Sequence, residues 1–264
     1  HPNKYLMLSG GQFISSKGHC ESFGQGGDGY ITSEGVGVVI LKRLSDAIRD
    51  NDHIYGVIKG SAINHGGKTN GYSVPNPVAQ SSVIARAMDE AHITARRISY
   101  VEAHGTGTQL GDPIEITGLT RTFNKSSDEK QYCYIGSAKS NIGHCEAAAG
   151  IACLSKVLLQ LKHEQIVPSL HSEVLNPNID FENSPFIVNQ ELREWTRPVI
   201  NEHGQDREYP RIAGISSFGA GGANAHIIIE EYISHDQSSS SRIIINSQNP
   251  AVIPLSARNK ERLT

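Results

Sequence analysis

Short apolar segments rich in β-branched residues alternate along this chain with segments whose apolar residues recur at helical spacing. Residues 35–41 (GVGVVIL) form a continuous apolar run, which is typical of a strand covered on both faces. Because strands and helices alternate, the sequence predicts an α/β fold in which helices cover sheets. Further strand-like segments occupy 54–64, 99–103, 132–137, 211–216 and 225–230, and the last two flank a glycine-rich stretch and predict a hairpin.

Three segments have the signals of helices. Apolar residues at 83–91 recur at helical spacing. Asp112 followed by Pro113 is typical of an N-cap with proline at the first helical position, and it predicts a helix over 113–123. The segment 147–161 is apolar nearly all round, which predicts a helix buried on every side.

The composition changes near the end of the chain. Residues 169–210 have no regular pattern, and residues 234–247 are rich in Ser, Asn and Gln, which is typical of a linker. The sequence therefore predicts a main domain at 1–232, a linker at 233–249 and the start of another segment at 250–264. The start at His1 without an initiator Met suggests that the chain comes from a longer protein.

The net charge and the cysteines indicate which binding partners and which cellular compartment to expect. The 264 residues carry a formal net charge of −3 and no long Lys/Arg run, so nothing favours binding to nucleic acid or to an anionic membrane. Four cysteines without paired spacing predict reduced thiols in the cytoplasm. No apolar run reaches the roughly 18 residues of a membrane span, and the first residues lack the pattern of a signal peptide.

Three loops place glycine, histidine and polar residues directly after predicted strands. They are 104–108 (HGTGT), 139–144 (KSNIGH) and 216–226 (SSFGAGGANAH). Glycines let backbone N–H groups approach a substrate oxygen, and imidazoles exchange protons near neutral pH. Two histidines, His104 and His144, could thus stabilise an enolate in one site, although a single histidine after a strand is more often a structural hydrogen-bonding residue.

Other chemistry is less well supported by these loops. A metal site at His104, His144 and Cys145 is disfavoured because no pair has the spacing of a helix face or a zinc knuckle. The glycines at 219–222 lack the third glycine of a dinucleotide turn and predict a hinge instead. Cys145 is expected to be a small buried thiol rather than a nucleophile. Lys139 is either a surface charge or a residue that biases the protonation of the loop.

The combined motifs resemble the β-ketoacyl synthase family, and specifically modular polyketide synthases. The resemblance covers nearly all of residues 4–232, and the wording SFGAGGANAH is similar to the subgroup served by free-standing acyltransferases. The motifs are SFGQGGDGYITSEGVGVVILKRLSDA (22–47), TNGYSVPNPVAQ (69–80), VEAHGTGTQLGDPIE (101–115), SAKSNIGHCEAAAGIA (137–152) and GISSFGAGGANAHIIIEE (214–231).

The resemblance implies a thiolase-like layered αβαβα fold, of which this chain is the carboxyl-terminal half with part of the preceding half. It implies a decarboxylative Claisen condensation that extends an acyl chain by a malonyl unit. The substrates would be phosphopantetheine thioesters on an acyl carrier protein, with no cofactor bound to the condensing domain. A homodimer is implied for the parent protein.

The resemblance also implies roles for individual residues. His104 and His144 would promote loss of carbon dioxide and stabilise the enolate, with Lys139 supporting them. Thr106 and Thr108 would bind the phosphopantetheine arm. In the glycine-rich loop, Phe218, Gly219 and Asn224 would belong to the substrate-binding residues. Phe218 matches a gating phenylalanine whose backbone N–H contributes to an oxyanion hole, and Asn224 would fix the shape of the loop.

The sequence departs from the family at its nucleophile. The family's cysteine lies in a Thr-Ala-Cys-Ser-Ser type motif, and none of the four cysteines here has that context. We therefore expect the isolated chain to be inactive in condensation, with the nucleophile supplied by a missing amino-terminal half. The alternatives are a non-catalytic ketosynthase-like structural or docking half and a fatty-acid condensing enzyme. The acyl substrate, the product and the module position do not follow from the sequence.

Overall fold

The computed structural model describes residues 2–69, 71, 74–202, 204–234 and 259. The chain divides into two compact units, His1–Tyr232 and Ile233–Thr264. All elements described below belong to the first unit. Nearly all of the predicted linker at 233–249 and of the segment at 250–264 lies outside the described residues, so that division stays a prediction.

The described residues contain ten strands and six α-helices. The strands are β1 (Val57–His65), β2 (Tyr100–Glu102), β3 (Cys133–Gly136), β4 (Gln165–Ile166), β5 (Phe186–Val188), β6 (Arg193–Glu194), β7 (Val199–Glu202), β8 (Gln205–Glu208), β9 (Ile212–Phe218) and β10 (Ala223–Glu230). The helices are α1 (Pro2–Gly10), α2 (Leu44–Arg49), α3 (Pro77–Ala91), α4 (Gly111–Phe123), α5 (Lys139–Ile142) and α6 (Ala149–His163). Short 3₁₀ turns occupy Ala95–Arg97 and Glu146–Ala148.

One mixed sheet organises these elements, in the strand order β1-β10-β9-β2-β3-β5. β1, β10 and β9 pair antiparallel, and β9, β2, β3 and β5 pair parallel. The predicted hairpin of β9 and β10 is confirmed, with Ser216 opposite His226. A mixed sheet with helices between its strands confirms the predicted α/β class.

The two faces of the sheet are covered by different helices. Tyr100 of β2 packs in a cluster with Cys153 and Val157 of α6, whereas the next residue, Val101, packs with residues of α3 and α4. Successive side chains of a strand point to opposite faces. The sheet is therefore a middle layer between α6 on one side and α3 with α4 on the other.

Helix α3 shows how local sequence sets an element. The side chain of Asn76 accepts hydrogen bonds from the backbone N–H groups of Val78 and Ala79, and Pro77 occupies the first turn, where its missing N–H costs nothing. The predicted apolar stripe is confirmed because all of its members are buried: Val83, Ile84, Ala87, Met88 and Ala91.

Helix α4 begins at Gly111, two residues before the predicted first helical residue Pro113, and Asp112 is not its N-cap. The N-cap position belongs to Leu110. The Asp112 carboxylate instead accepts hydrogen bonds from the backbone N–H groups of Phe23 at 2.8 Å and Gly107 at 3.1 Å. The prediction was wrong because these loop N–H groups compete for the carboxylate that would otherwise cap the helix.

Helix α6 is not buried on every side, so that prediction was wrong. Five of its residues are buried, whereas Ser155, Leu159 and Lys162 are exposed. The helix covers only one face of the sheet, and its opposite side faces outward. The buried residues are Ala149, Cys153, Val157, Gln160 and Leu161.

Within the described residues the run at 35–41 pairs with no strand, so the predicted strand is absent there. Val36, Val38 and Ile40 are 95%, 87% and 93% exposed. An isolated strand satisfies neither its backbone hydrogen bonds nor its apolar side chains. The expected burial on both faces is therefore wrong for these residues.

The region 169–210 is more regular than predicted. β5 adds to the edge of the main sheet, parallel to β3. β4 pairs with β6 and β7 pairs with β8, each in a two-stranded antiparallel ladder. Strands of two to four residues give too short a pattern to recognise in a sequence.

Candidate active site

The three predicted loops meet at one edge of the sheet. Residues 104–108 follow β2, residues 139–144 follow β3, and residues 219–222 follow β9. These three strands are parallel neighbours, so their carboxyl ends lie side by side. The topology thereby brings together three loops of which the first and the last are more than 100 residues apart in the chain.

The two histidines face each other. The ring centroids of His104 and His144 are 5.5 Å apart, with an interplanar angle of 83°. The ring of Phe218 lies 5.8 Å from that of His104, and the ring of Tyr30 lies 5.0 Å from that of His144. Two imidazoles at this distance can contact one small substrate group.

Backbone hydrogen bonds fix the tautomer of each neutral ring. The N–H of Phe218 donates to His104 Nδ1 at 3.2 Å, and the N–H of Glu146 donates to His144 Nδ1 at 2.9 Å. A backbone N–H can only donate, so each Nδ1 must be the acceptor. The proton of each neutral ring then sits on Nε2, and both rings can act as N–H donors.

The surroundings keep both rings neutral. Burial, followed by the positive charge of Lys139, lowers the pKa of His144 to about 4. The same two causes, in the same order, hold the pKa of His104 well below its usual range. At neutral pH the site therefore presents two uncharged imidazoles rather than imidazolium ions.

Lys139 is buried, with 2% of its surface exposed. Its Nζ has no hydrogen-bond partner among the residues that the structure describes. Of the two interpretations of this lysine, a surface charge is therefore wrong. Its charge contributes to the lowered pKa values of both histidines, as expected for a cation in a low-dielectric site.

Thr106 and Thr108 lie beside the histidines on a loop with two glycines in the left-handed region. Their Oγ1 atoms are 3.2 Å apart, and Thr108 Oγ1 accepts a hydrogen bond from Gly111 N at 3.1 Å. Gly105 has φ +35° and Gly107 has φ +77°, which favours residues without a Cβ. The loop thus exposes two hydroxyl groups along one edge of the cavity.

The glycine-rich loop between β9 and β10 is held by its own backbone and by β1. Gly219 N donates to Ala223 O at 2.7 Å, and Asn224 Nδ2 donates to Asn64 Oδ1 at 3.0 Å. The Phe218 N–H donates to His104 Nδ1 at 3.2 Å, so in this conformation it orients an imidazole. Its expected contribution to an oxyanion hole stays a prediction.

A cavity of about 1120 Å³ joins these groups. All of the predicted site residues except Lys139 line it, and Lys139 lies outside this lining. The predicted residues in its wall are His104, Thr106, Thr108, His144, Phe218, Gly219 and Asn224.

Two carboxylates, Glu115 and Asp112, support the first loop in a role that the sequence did not predict. Glu115 accepts from His104 N and Gly105 N, both at 2.7 Å. Burial raises the pKa of Glu115 to about 7 and that of Asp112 to about 6. Both lie in the first turns of α4, within the motif GDPIE. Acidic residues directly after a glycine-rich loop are the sequence pattern that indicates hydrogen bonds from the loop N–H groups to these carboxylates.

The cysteines described here are buried thiols without a metal-ligand set around them. Within the described part of the chain, no group of three or more His, Cys, Asp or Glu residues could hold a metal ion. Cys145 is buried as predicted, with its Sγ 3.1 Å from Ser33 Oγ, and Cys153 is in the core. All four cysteines are unpaired and buried. No helix formed by the described residues is long and apolar enough to cross a membrane.

Three family models match the chain. The β-ketoacyl synthase C-terminal domain matches residues 55–173, the ketoacyl-synthetase C-terminal extension matches 176–264, and the β-ketoacyl synthase N-terminal domain matches 1–47.

Relatives and solved structures agree with these matches. Polyketide synthase PksL of Bacillus subtilis is 67% identical over 100% of this chain and 6% of its own length. Polyketide synthase ThaG of Burkholderia thailandensis is 56% identical over 100% of this chain and 5% of its own length. The structure of the oxazolomycin ketosynthase domain OzmH KS7 from Streptomyces albus has a TM-score of 0.88 at 48% identity, covering 100% of this chain and 44% of that chain.

A second solved structure gives the same result. The ketosynthase from module 6 of the bacillaene synthase of Bacillus subtilis has a TM-score of 0.82 at 45% identity, covering 88% of this chain and 41% of that chain. The chain therefore spans about one twentieth of these curated relatives and less than half of these solved ketosynthases.

Proposed function

Because the chain belongs to the β-ketoacyl synthase family, within the ketosynthases of polyketide synthases, and has their thiolase-like fold, we propose that it supplies the enolate-forming half of a condensing acyltransferase site. The reaction is chain elongation by decarboxylative Claisen condensation of an acyl thioester with a malonyl unit. The observation that carries this proposal is that the Nδ1 atoms of His104 and His144 both accept backbone N–H groups.

The chemistry follows from that arrangement. The malonyl thioester oxygen accepts hydrogen bonds from the two Nε2–H groups, and the bond between the α-carbon and the carboxylate breaks. Carbon dioxide leaves, and the electron pair forms an enolate whose negative oxygen stays between the two donors. The enolate carbon then attacks the acyl thioester, a carbon–carbon bond forms, and the cysteine thiolate leaves.

Neutral imidazoles suit this step. Lys139 and burial oppose protonation of both rings, so the donors remain neutral at physiological pH. A protonated ring could hold the malonyl carboxylate as an ion pair and oppose its loss. The field of Lys139 also favours the developing negative charge of the enolate.

The remaining residues would position the substrate. Thr106 and Thr108 present hydroxyl groups for the amides of a phosphopantetheine arm on an acyl carrier protein. Gly219 and Asn224 also line the cavity. The SFGAGGANAH motif favours a malonyl unit loaded by a free-standing acyltransferase.

The nucleophile would come from polypeptide outside these 264 residues. All four cysteines here are buried, and none has the nucleophile's sequence context. The exposed run at 35–41 offers an apolar surface that such a segment could cover. We therefore expect no condensation by the 264 residues alone, and assembly of the complete domain as a homodimer.

Reconstitution tests the proposal. The chain is mixed with a nucleophile-bearing amino-terminal ketosynthase segment, an acyl thioester donor and malonyl carrier protein. Acyl loading is followed by mass spectrometry, and carbon dioxide release and condensed product are followed separately. His104→Ala and His144→Ala should each lower condensation by about 10²- to 10⁴-fold while acyl loading persists. His163→Ala, at the exposed end of α6, is the control.

The outcome also separates the competing function. A non-catalytic docking half would assemble with the amino-terminal segment without giving product, and its His104→Ala variant would behave like the wild type. Turnover by the 264 residues alone would contradict the expected need for an external nucleophile.

A further inference from the structure

Glu102, the last residue of β2, carries a buried carboxylate that the proposed chemistry does not use. Its side chain is 0% exposed. It lies two positions before His104 in the chain. A fully buried carboxylate is costly unless its oxygens are satisfied, so its contacts indicate what it supports.

The two oxygens of Glu102 contact three different parts of the fold. Oε1 accepts a hydrogen bond from Ala138 N at 2.6 Å, directly before Lys139. Oε2 accepts from the hydroxyl of Tyr100 at 2.7 Å and forms an ion pair with Lys156 Nζ at 2.8 Å. Lys156 belongs to α6, and its side chain is 11% exposed.

These contacts link the two chain segments that lead into the loops of His104 and His144. Glu102 leads directly into the His104 loop, and Ala138 leads into α5 and then into the His144 loop. By contrast, Glu115 holds only His104 and Gly105, which belong to one loop. Among the carboxylates described for this site, Glu102 is the one that joins both loops.

Lys156 is the charge partner of this buried carboxylate, with Nζ 2.8 Å from Oε2. The ion pair of Glu102 and Lys156 is neutral as a unit, so it leaves the positive field of Lys139 uncompensated near the imidazoles. Removing one partner of a buried pair leaves an unpaired buried charge, whereas replacing both with uncharged residues is often tolerated.

We propose that Glu102 is a positioning residue for the condensation, with Lys156 as its counter-ion. This inference rests on the proposed function of His104 and His144.

The enolate oxygen must accept hydrogen bonds from both Nε2–H groups at once. The distance between the two loops therefore determines the geometry of both hydrogen bonds. The bond from Ala138 N to Glu102 Oε1 helps to hold that distance, beside the bond from Ser137 Oγ to Gly105 O.

Two double variants of the complete ketosynthase domain separate positioning from charge. Glu102→Gln with Lys156→Met removes both charges but keeps an amide oxygen that can accept from Ala138 N. Glu102→Leu with Lys156→Met removes both charges and the acceptor. Lys162→Met, an exposed lysine on the same helix, is the matched control.

The Gln–Met variant should keep kcat within about threefold of the wild type. The Leu–Met variant should lose about 10- to 100-fold in kcat, since small misplacements of reacting groups have effects of this size. KM for malonyl carrier protein should stay within about twofold, because Glu102 is not among the residues that line the cavity, whereas the hydroxyls proposed to bind the arm are. Acyl loading of the nucleophilic cysteine should persist in both variants and reports that the domain is folded.

Wild-type kcat in a folded Leu–Met variant would overturn the proposal, as would an equal loss in both double variants. If the Leu–Met variant does not load, Glu102→Asp is used, which keeps the charge and shortens the reach by one methylene. It should lower kcat by about 3- to 10-fold at unchanged KM, and an unchanged kcat would again contradict the proposal. If His104→Ala also kept wild-type condensation, the proposed function itself would fail, independently of Glu102.

Discussion

Strand β10 and the run at 35–41 have similar sequences and opposite environments. Both are apolar and rich in β-branched residues (AHIIIE and GVGVVIL). Ile228 and Ile229 of β10 are 0% and 1% exposed, whereas Val36 and Val38 are almost fully exposed. β10 lies between β1 and β9, while the run at 35–41 has no neighbouring strand within the described residues.

The difference shows that a strand is defined by its partners as much as by its residues. Apolar β-branched composition fits a pleated, buried surface, but it supplies neither the second strand nor the covering helix. The contrast also bears on the proposed function, because a buried hairpin positions the site and an exposed apolar run offers a surface for another segment.

Among the tests of this comparison, the largest change in folding stability is expected for His226, a buried residue of β10. Burial lowers the pKa of His226 to about 3, so the folded state resists protonation. Above the unfolded pKa of about 6.5 this group costs the folded state nothing, and as the pH drops towards 3 the folded state loses stability, by an upper bound of about 5 kcal/mol. This loss of stability is measured by urea unfolding of the wild type and of His226→Asn at a series of pH values.

The expected result is a steeper loss of stability with acid in the wild type than in His226→Asn. Val36→Ala, in the exposed run, should keep the wild-type slope. Parallel pH profiles for the wild type and His226→Asn would show that the buried imidazole does not carry this dependence.

The next effect concerns packing in the same strand. Ile228→Ala should lower the free energy of unfolding by about 3 kcal/mol, because it leaves a cavity between the sheet and α3. Ile63→Ala on β1 is the matched control, since Ile63 is 75% exposed, and it should change stability by less than about 0.5 kcal/mol. Equal losses in the two variants, measured by urea unfolding, would contradict the assigned burial.

The smallest effect is expected in the exposed run itself. Val38→Asp should change the stability of the 264-residue chain by less than about 0.5 kcal/mol. In the complete ketosynthase domain the same change should cost on the order of 2 kcal/mol or more, if another segment buries Val38. A small effect in both contexts would break the comparison, since the run would then be exposed in the complete domain too.

Much of the site could be predicted because each loop follows a strand of recognisable pattern. The parallel order of β9, β2 and β3 then brings His104, His144 and Phe218 to one edge. The supporting carboxylates were not predicted. Glu115 looks like an ordinary residue of an amphipathic helix, and Glu102 looks like a charged residue at the end of a strand, until the fold brings backbone N–H groups to them.

The sequence alone determined the α/β class, the family, the stripe of α3 and the loops that carry histidine and threonine, because these depend on residue type and spacing within one segment. The tertiary structure decided the tautomers of both imidazoles, the burial of Lys139, the single covered face of α6 and the unpaired state of the run at 35–41. Each of these depends on which distant group occupies the space beside the residue, and no local pattern specifies that neighbour.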